Sequence, residues 1–144
     1  MGQVIRPYQA GDEQGIWQLN IEVLGYAFPY EDTMAKLATL AQDPQHRILV
    51  AEVHQQVVGY IHGTQYDVLY APSYKDIMGL AVAEAYQHRG LGRALLAGIE
   101  AWSKETGAAG VRLVSGAERL AAHAFYEGCG YQRKKGQVNF RKTW

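Results

Sequence analysis

The sequence predicts an α/β (α+β) fold, a mixed sheet covered by helices, and three observations carry that prediction. Apolar residues alternate with a two-residue period in some stretches and recur three and four apart in others. The two kinds of stretch interleave along the chain. Of the 144 residues, 48% are apolar, enough for one compact domain, residues 1–144, with a real core.

Taken in order, "QVIRPY" opens as a short strand, and Gly11-Asp12 supplies a turn and a helix cap. Ile16, Leu19, Val23 and Leu24 recur at helical spacing, as do Met34, Leu37, Ala38 and Ala41, so two helices fill residues 12–43. Asp43-Pro44 stops the second, because proline disfavours the helical region for the residue before it. "HRILVAEVHQQVVGYIHGTQY" reads as a hairpin with β-branched residues on both arms and its turn near residues 54–56. "KDIMGLAV" is a further strand, apolar enough to be central. From Leu91 the period changes: Leu91, Ala94, Leu95, Ile99 and Trp102 form one helical stripe, and Gly107 stands where a left-handed cap is expected. "GVRLVS" is a strand, "AERLAAHAFYEGCG" a helix closed by glycine, and the tail "YQRKKGQVNFRKTW" suggests a final pair of short strands. The predicted order is β-α-α-β-β-β-α-β-α-β-β.

Composition narrows the function classes. No apolar run approaches the ~20 residues of a membrane span, and "MGQVIRPYQAGDEQG" lacks the basic start and apolar stretch of a secretory signal, so a cytoplasmic protein without membrane contact is expected. The lone cysteine, Cys129, excludes an internal disulfide and a Cys-rich zinc site, and no metal is implied. A formal net charge of zero argues against nucleic acid as partner. The charges are nonetheless divided: residues 1–67 carry eight acidic and three basic side chains, residues 68–144 six and eleven. That division is either uneven scatter on a solvated surface or one half suited to a cation and one to an anion.

The stretch "AYQHRGLGRALL" sets Gly90 and Gly92 where a helix begins. Amides at a helix start have no partner within it, and the helix dipole makes that end electropositive. Glycine lets an anion approach those amides and adopts the backbone angles that aim several of them at one point. "QHRGLG" between strand and helix is therefore a candidate phosphate cradle, to which His88, Arg89 and Arg93 add charge. It is neither a Walker loop, lacking Gly-Lys-Ser/Thr, nor the full G-x-G-x-x-G fingerprint.

In this context "LAVAEAYQHRGLGRALL" resembles the acyl-CoA-binding motif of the GNAT superfamily of N-acetyltransferases, Gln/Arg-x-x-Gly-x-Gly/Ala after a central strand. "RLAAHAFYEGCGY" is similar to the superfamily's later helix, with Phe-Tyr-Glu followed by Gly-Tyr. The resemblance implies a mostly antiparallel central sheet flanked by helices, with acetyl-CoA as cosubstrate. It places the pyrophosphate on the backbone amides of His88, Arg89, Gly90, Leu91, Gly92 and Arg93, counts Gln87 with the cofactor-binding residues, and gives Leu80, Ala81 and Val82 main-chain hydrogen bonds to the pantetheine arm and the thioester carbonyl, like an added strand. Where many members have an asparagine after the next strand, this chain has Ser115-Gly116.

Acyl transfer to an amine needs a base for the nucleophile and an acid for the departing thiolate. An amine with a pKa near 10.4 is neutral in about one molecule in 2,500 at pH 7, a handicap of roughly 4.6 kcal/mol. The resemblance makes Tyr126 the general acid. Asp76, eleven residues before Gln87, stands near the position of a catalytic glutamate in histone-type members, its shorter reach calling for a bridging water. A solvated strand-edge carboxylate is the other reading of Asp76. His62 shares a strand face with Tyr60, Thr64 and Tyr66 by alternation, and is either a substrate-side base or a structural histidine. Glu22 either binds a cationic substrate from the first helix or is a solvated acid. The expected activity is direct acetyl transfer from acetyl-CoA to a primary amine, small-molecule or peptide, in a ternary complex. The alternatives are a non-catalytic acyl-CoA sensor on the same scaffold and a nucleotide binder using the glycine turn. A homodimer paired through the tail strand is compatible with the resemblance.

Overall fold

Strands β1 (Gln3–Pro7), β2 (His46–Val53), β3 (Gln56–Val68), β4 (Ala71–Val82) and β5 (Val111–Leu113) lie side by side in that order in the computed structural model, which describes residues 2–144. All neighbours are antiparallel except β4 and β5, which run parallel. A parallel neighbour needs a crossover, and α3 (Leu91–Glu105) supplies it. The remaining helices are α1 (Glu13–Leu19), α2 (Tyr30–Leu40) and α4 (Leu120–Gly128). Contacts divide the chain into a larger unit through Leu113, which holds the whole sheet, and a smaller one from Val114 to Trp144, which holds α4.

Both faces of the sheet are used, as the alternation demands. On one face Ile48, Val50, Tyr60 and Ala81 pack with Ile16 and Leu19 of α1 and Leu37 of α2. The other face receives α3, whose stripe Leu91, Leu95, Leu96, Ile99 and Trp102 is buried. Full burial of such side chains is worth roughly 1.5–3 kcal/mol each. Gly107 ends α3 in the left-handed region at φ 74°, where its amide donates to Lys104 O and that of Ala108 to Ser103 O, so the cap forms as expected. The β2–β3 turn is made by His54 and Gln55, both left-handed, the twist a two-residue hairpin requires.

Four sequence expectations are corrected. The buried face of α2 is Thr33 and Leu37 with Leu40 packed beside them, whereas Met34, Ala38 and Ala41 are exposed, so the stripe is rotated by one residue. Asp12 stands at the N-cap of α1 but makes no side-chain cap bond; its carboxylate accepts two bonds from Arg6, at 2.8 and 3.0 Å, and one from Gln9 N at 2.9 Å. The first helix does not run on: it loosens into a π-helical turn, Asn20–Leu24, and stops at left-handed Gly25. The tail carries no strand; Val138, Phe140 and Trp144 are exposed at 77, 92 and 95%, and an alternating segment without a ladder partner has nothing to hold it extended.

Candidate active site

The site begins with an interruption in β4. His62 of β3 faces Gly79 and Gly63 faces Ile77, so Met78 is an extra residue, a bulge. β5 pairs with β4 only at Lys75, Asp76 and Ile77. Beyond the bulge the same edge of β4 has no strand beside it among the described residues. Which groups face that edge follows from antiparallel alternation. The amide of Ala83 donates to Val58 O at 2.8 Å, and two residues back Ala81 pairs with Tyr60, so the main chain of Ala81 is committed to β3. Leu80 and Val82 therefore turn theirs to the open edge.

The chain leaves this edge through a 3-10 turn, Glu84–Tyr86, into the glycine segment. Gln87 Nε2 donates to Val82 O at 2.9 Å, tying the loop to the strand end it leaves. His88 is left-handed at φ 64°, and Gly90, the N-cap of α3, at φ 85°. No atom lies within 4 Å of where a Gly90 Cβ would be. The bond from Ala94 N to Gly90 O, at 3.0 Å, is the first turn of α3, so the amides ahead of Ala94 form the helix's N-terminal donor set. No acidic side chain stands in that first turn, and the Arg89 guanidinium lies 5.2 Å from the centre of the Tyr86 ring. An open strand edge leading to an electropositive helix start fits a long ligand with an anionic end.

On the face of the sheet that carries α1, a cleft of about 590 Å³ adjoins the bulge. Its walls are Asn20 and Leu24 of the π-helical turn, the loop of residues 25–28, Tyr60, Met78 and Gly79. The loop is pinned by two bonds, Tyr26 N to Asn20 O at 2.8 Å and Trp17 Nε1 to Phe28 O at 2.9 Å. The Tyr60 hydroxyl donates to Asn20 Oδ1. Burial, with Tyr26 nearby, pushes the Tyr60 phenol up to about 12, so it stays neutral. Sequence reasoning missed this cleft; the signal was "GYAFPY", two aromatic residues between a helix-ending glycine and a proline.

Of the other residues singled out from the sequence, Glu22, His62 and Asp76 are not among the cleft walls. Glu22 is exposed on the π-helical turn. His62 is half-buried with its Nε2 2.8 Å from His46 Nδ1, and burial together with His46 holds it near 4, so its ring is neutral at pH 7. Asp76 pairs with Arg112, Nη1 to Oδ2 at 3.1 Å, and that guanidinium stacks 4.1 Å over the Tyr66 ring. Burial raises the Asp76 carboxyl above its ordinary value, against the pull of Arg112. In the smaller unit, Tyr126 sits on α4 with the rings of Phe125 and Tyr131 edge-on at 5.3 and 6.1 Å. Burial raises its phenol, Arg119 pulls it down and Cys129 adds to the rise. Ser115 Oγ is buried without a hydrogen-bond partner among the described residues.

Known proteins bear directly on this arrangement. The profile of the Acetyltransferase (GNAT) family matches residues 15–131. The aminoglycoside N(6')-acetyltransferase type 1 of Stenotrophomonas maltophilia is 32% identical over 82 residues, 57% of this chain and 50% of that enzyme. The chain thus spans about half the length of that curated relative. Among solved structures, AAC(6')-Iy in complex with the bisubstrate analogue CoA-S-monomethyl-acetylneamine superposes with a TM-score of 0.89 at 15% identity, covering 100% of both chains. A transcriptional regulator from Bacillus halodurans C-125 superposes with a TM-score of 0.88 at 21% identity, covering 98% of this chain and 100% of that one. At those identities the likeness concerns the fold.

Proposed function

The chain belongs to the GNAT acetyltransferase family, and from that premise we propose that it is an N-acetyltransferase moving an acetyl group from acetyl-CoA directly to a primary amine bound alongside it. One observation carries the reading: the open edge of β4 at Leu80 and Val82 runs into the left-handed turn at Gly90 and the N-terminus of α3. The main chain of Leu80 and Val82 would hold a pantetheine arm along that edge, and the amides of the turn would hold its diphosphate. The bare backbone at Gly90 fits this, since no side chain intrudes there.

When bound, acetyl-CoA supplies an activated thioester; the chain's own groups do the rest. Holding thioester and amine together converts a bimolecular encounter into an effectively unimolecular step. Leu80 and Val82 orient the arm, and Gln87 fixes the loop against the strand end. Asp76, whose carboxylate Arg112 favours against the opposing effect of burial, takes the proton of the ammonium through a water. Tyr126, a phenol that burial raises further, gives a proton to the departing thiolate and regains one from the nitrogen as the amide forms.

The test is a pair of measurements. Calorimetry with CoA and with ATP separates an acyl-CoA site from a nucleotide site, CoA being the expected ligand. Free-thiol release from acetyl-CoA across a broad panel of primary amines then separates an enzyme from a sensor. Tight CoA binding with no release by any amine would remove the catalytic reading.

A further inference from the structure

The cleft beside the β4 bulge has an unexpected chemistry for a chain whose curated relative is named for aminoglycosides. None of the described residues lining it is charged. Tyr26, Phe28 and Met78 stand in its walls exposed at 65, 44 and 57%, a concentration of apolar surface that a soluble protein leaves open for a ligand. The Tyr60 hydroxyl gives its proton to Asn20 Oδ1. Glu22 is an acidic side chain of the adjoining turn, and it faces solvent outside the lining.

We propose that this cleft takes the amine acceptor, and that the amine is carried on an apolar body, aryl or alkyl, and bears no second charge. This rests on the acetyl-transfer reading of the same site. Met78 is both the bulged residue of β4 and a wall of the cleft, so the apolar surface adjoins the strand edge assigned to the thioester arm. Gly79 keeps the floor bare: a Cβ there would stand 3.3 Å from the Tyr60 hydroxyl. Aromatic faces hold a single ammonium through their quadrupole and cover the carbon skeleton beside it. A polycation has no carboxylate in the lining to answer its further charges, and its transfer out of water would go uncompensated. A neutral phenol at Tyr60 supplies no such anion.

The test compares phenethylamine with kanamycin as acceptors for the full chain at saturating acetyl-CoA, by thiol release. A kcat/KM higher for phenethylamine by about tenfold or more is expected, and Phe28→Ala and Tyr26→Ala should each lower it for phenethylamine while leaving the calorimetric affinity for CoA unchanged. Both side chains are exposed, so neither substitution threatens folding. Equal or better use of kanamycin, no turnover of phenethylamine by a CoA-binding protein, or indifference to both substitutions overturns the proposal. Absence of CoA binding removes the acetyl-transfer reading instead, and the cleft is then judged by NMR alone. Perturbation of the Met78 methyl by phenethylamine and not by kanamycin supports the assignment; the reverse overturns it.

Discussion

His46 Nδ1 lies 2.8 Å from His62 Nε2, the two rings stacked with centroids 5.1 Å apart. In such a pair one nitrogen donates and the other accepts, which fails once both rings are cationic. The folded protein accordingly holds His62 down at about 4, through burial first and His46 second. An unfolded chain takes up that proton near the ordinary value of 6.5, so it binds more protons than the folded state between those two values. The contribution is fully present above about pH 6.5 and is lost as pH falls towards 4, up to about 3 kcal/mol in all. Urea denaturation at pH 7.5, 5.5 and 4.5 should show His62→Gln flattening this dependence relative to the parent chain. Parallel curves would contradict the shift.

Gly90 has room for a side chain, so space is not what a substitution there disturbs. Its φ of 85° is, because an L-residue in the left-handed region costs roughly 1–2 kcal/mol and a β-branched one more. Gly90→Val should therefore reopen the turn, turn the helix-start amides away from a common point, and weaken CoA at least about tenfold, or 1.4 kcal/mol. Calorimetry reads the affinity directly, and an unchanged value would separate this turn from cofactor binding.

The parts of the fold that repeat a period were legible from the residues alone: the α3 stripe ending at Gly107, and the hairpin turning at His54. The glycine turn was legible because "QHRGLG" breaks helical propensity where a helix starts. The cleft was not. A bulge at Met78 is a mismatch between two strands, and neither strand's own alternation records it. Asp12 looked like a cap because residue type and position agree, yet its carboxylate is taken by Arg6, six residues earlier, and by the amide of Gln9 instead of the helix amides. The rotated face of α2 has a similar cause: Thr33 satisfies its hydroxyl on Pro29 O at 3.0 Å and can be buried, which leaves Met34 outside.

Gly15 sets how closely α1 sits on β3. A Cβ there would fall 2.8 Å from Val57 Cβ and 3.2 Å from its Cγ1. Val57 Cβ is one bond from the backbone, so relief requires the helix to move away from the strand. Alanine gains up to about 1 kcal/mol in helix propensity, while overpacking costs about 1–3 kcal/mol. Gly15→Ala should come out destabilised in urea. Because α1 leads into the turn bearing Asn20 and Leu24, it should also raise KM for the amine more than for acetyl-CoA. A stabilised variant would refute the contact.

Arg112 acts on Asp76 in one direction only: the guanidinium, Nη1 to Oδ2 at 3.1 Å, favours the carboxylate while burial opposes it. Arg112→Met removes the favourable partner and should raise the Asp76 pKa further. If Asp76 is the base, activity requires the ionised form, so the acidic limb of kcat/KM against pH should move to higher pH. A limb that stays in place assigns the proton to another group, and Asp76→Asn, with little loss of kcat, would agree with that assignment.

Tyr126 offers the sharpest separation between binding and chemistry. Its ring is packed by Phe125 and Tyr131, so removing only the hydroxyl keeps that packing intact. Its phenol, raised further by burial, is protonated at neutral pH as any tyrosine is, the form an acid must hold before the thiolate leaves. A positioned acid of this kind is typically worth about 10² to 10⁴ in rate. Tyr126→Phe should lower kcat by a factor near the bottom of that range or more, with the calorimetric affinity for CoA unchanged, since the hydroxyl is required when the sulfur takes up charge and not before. A thiol-ester donor with a less basic leaving group should recover part of the loss, because it needs less help to depart. Equal loss of kcat and affinity would instead make Tyr126 a packing residue of α4.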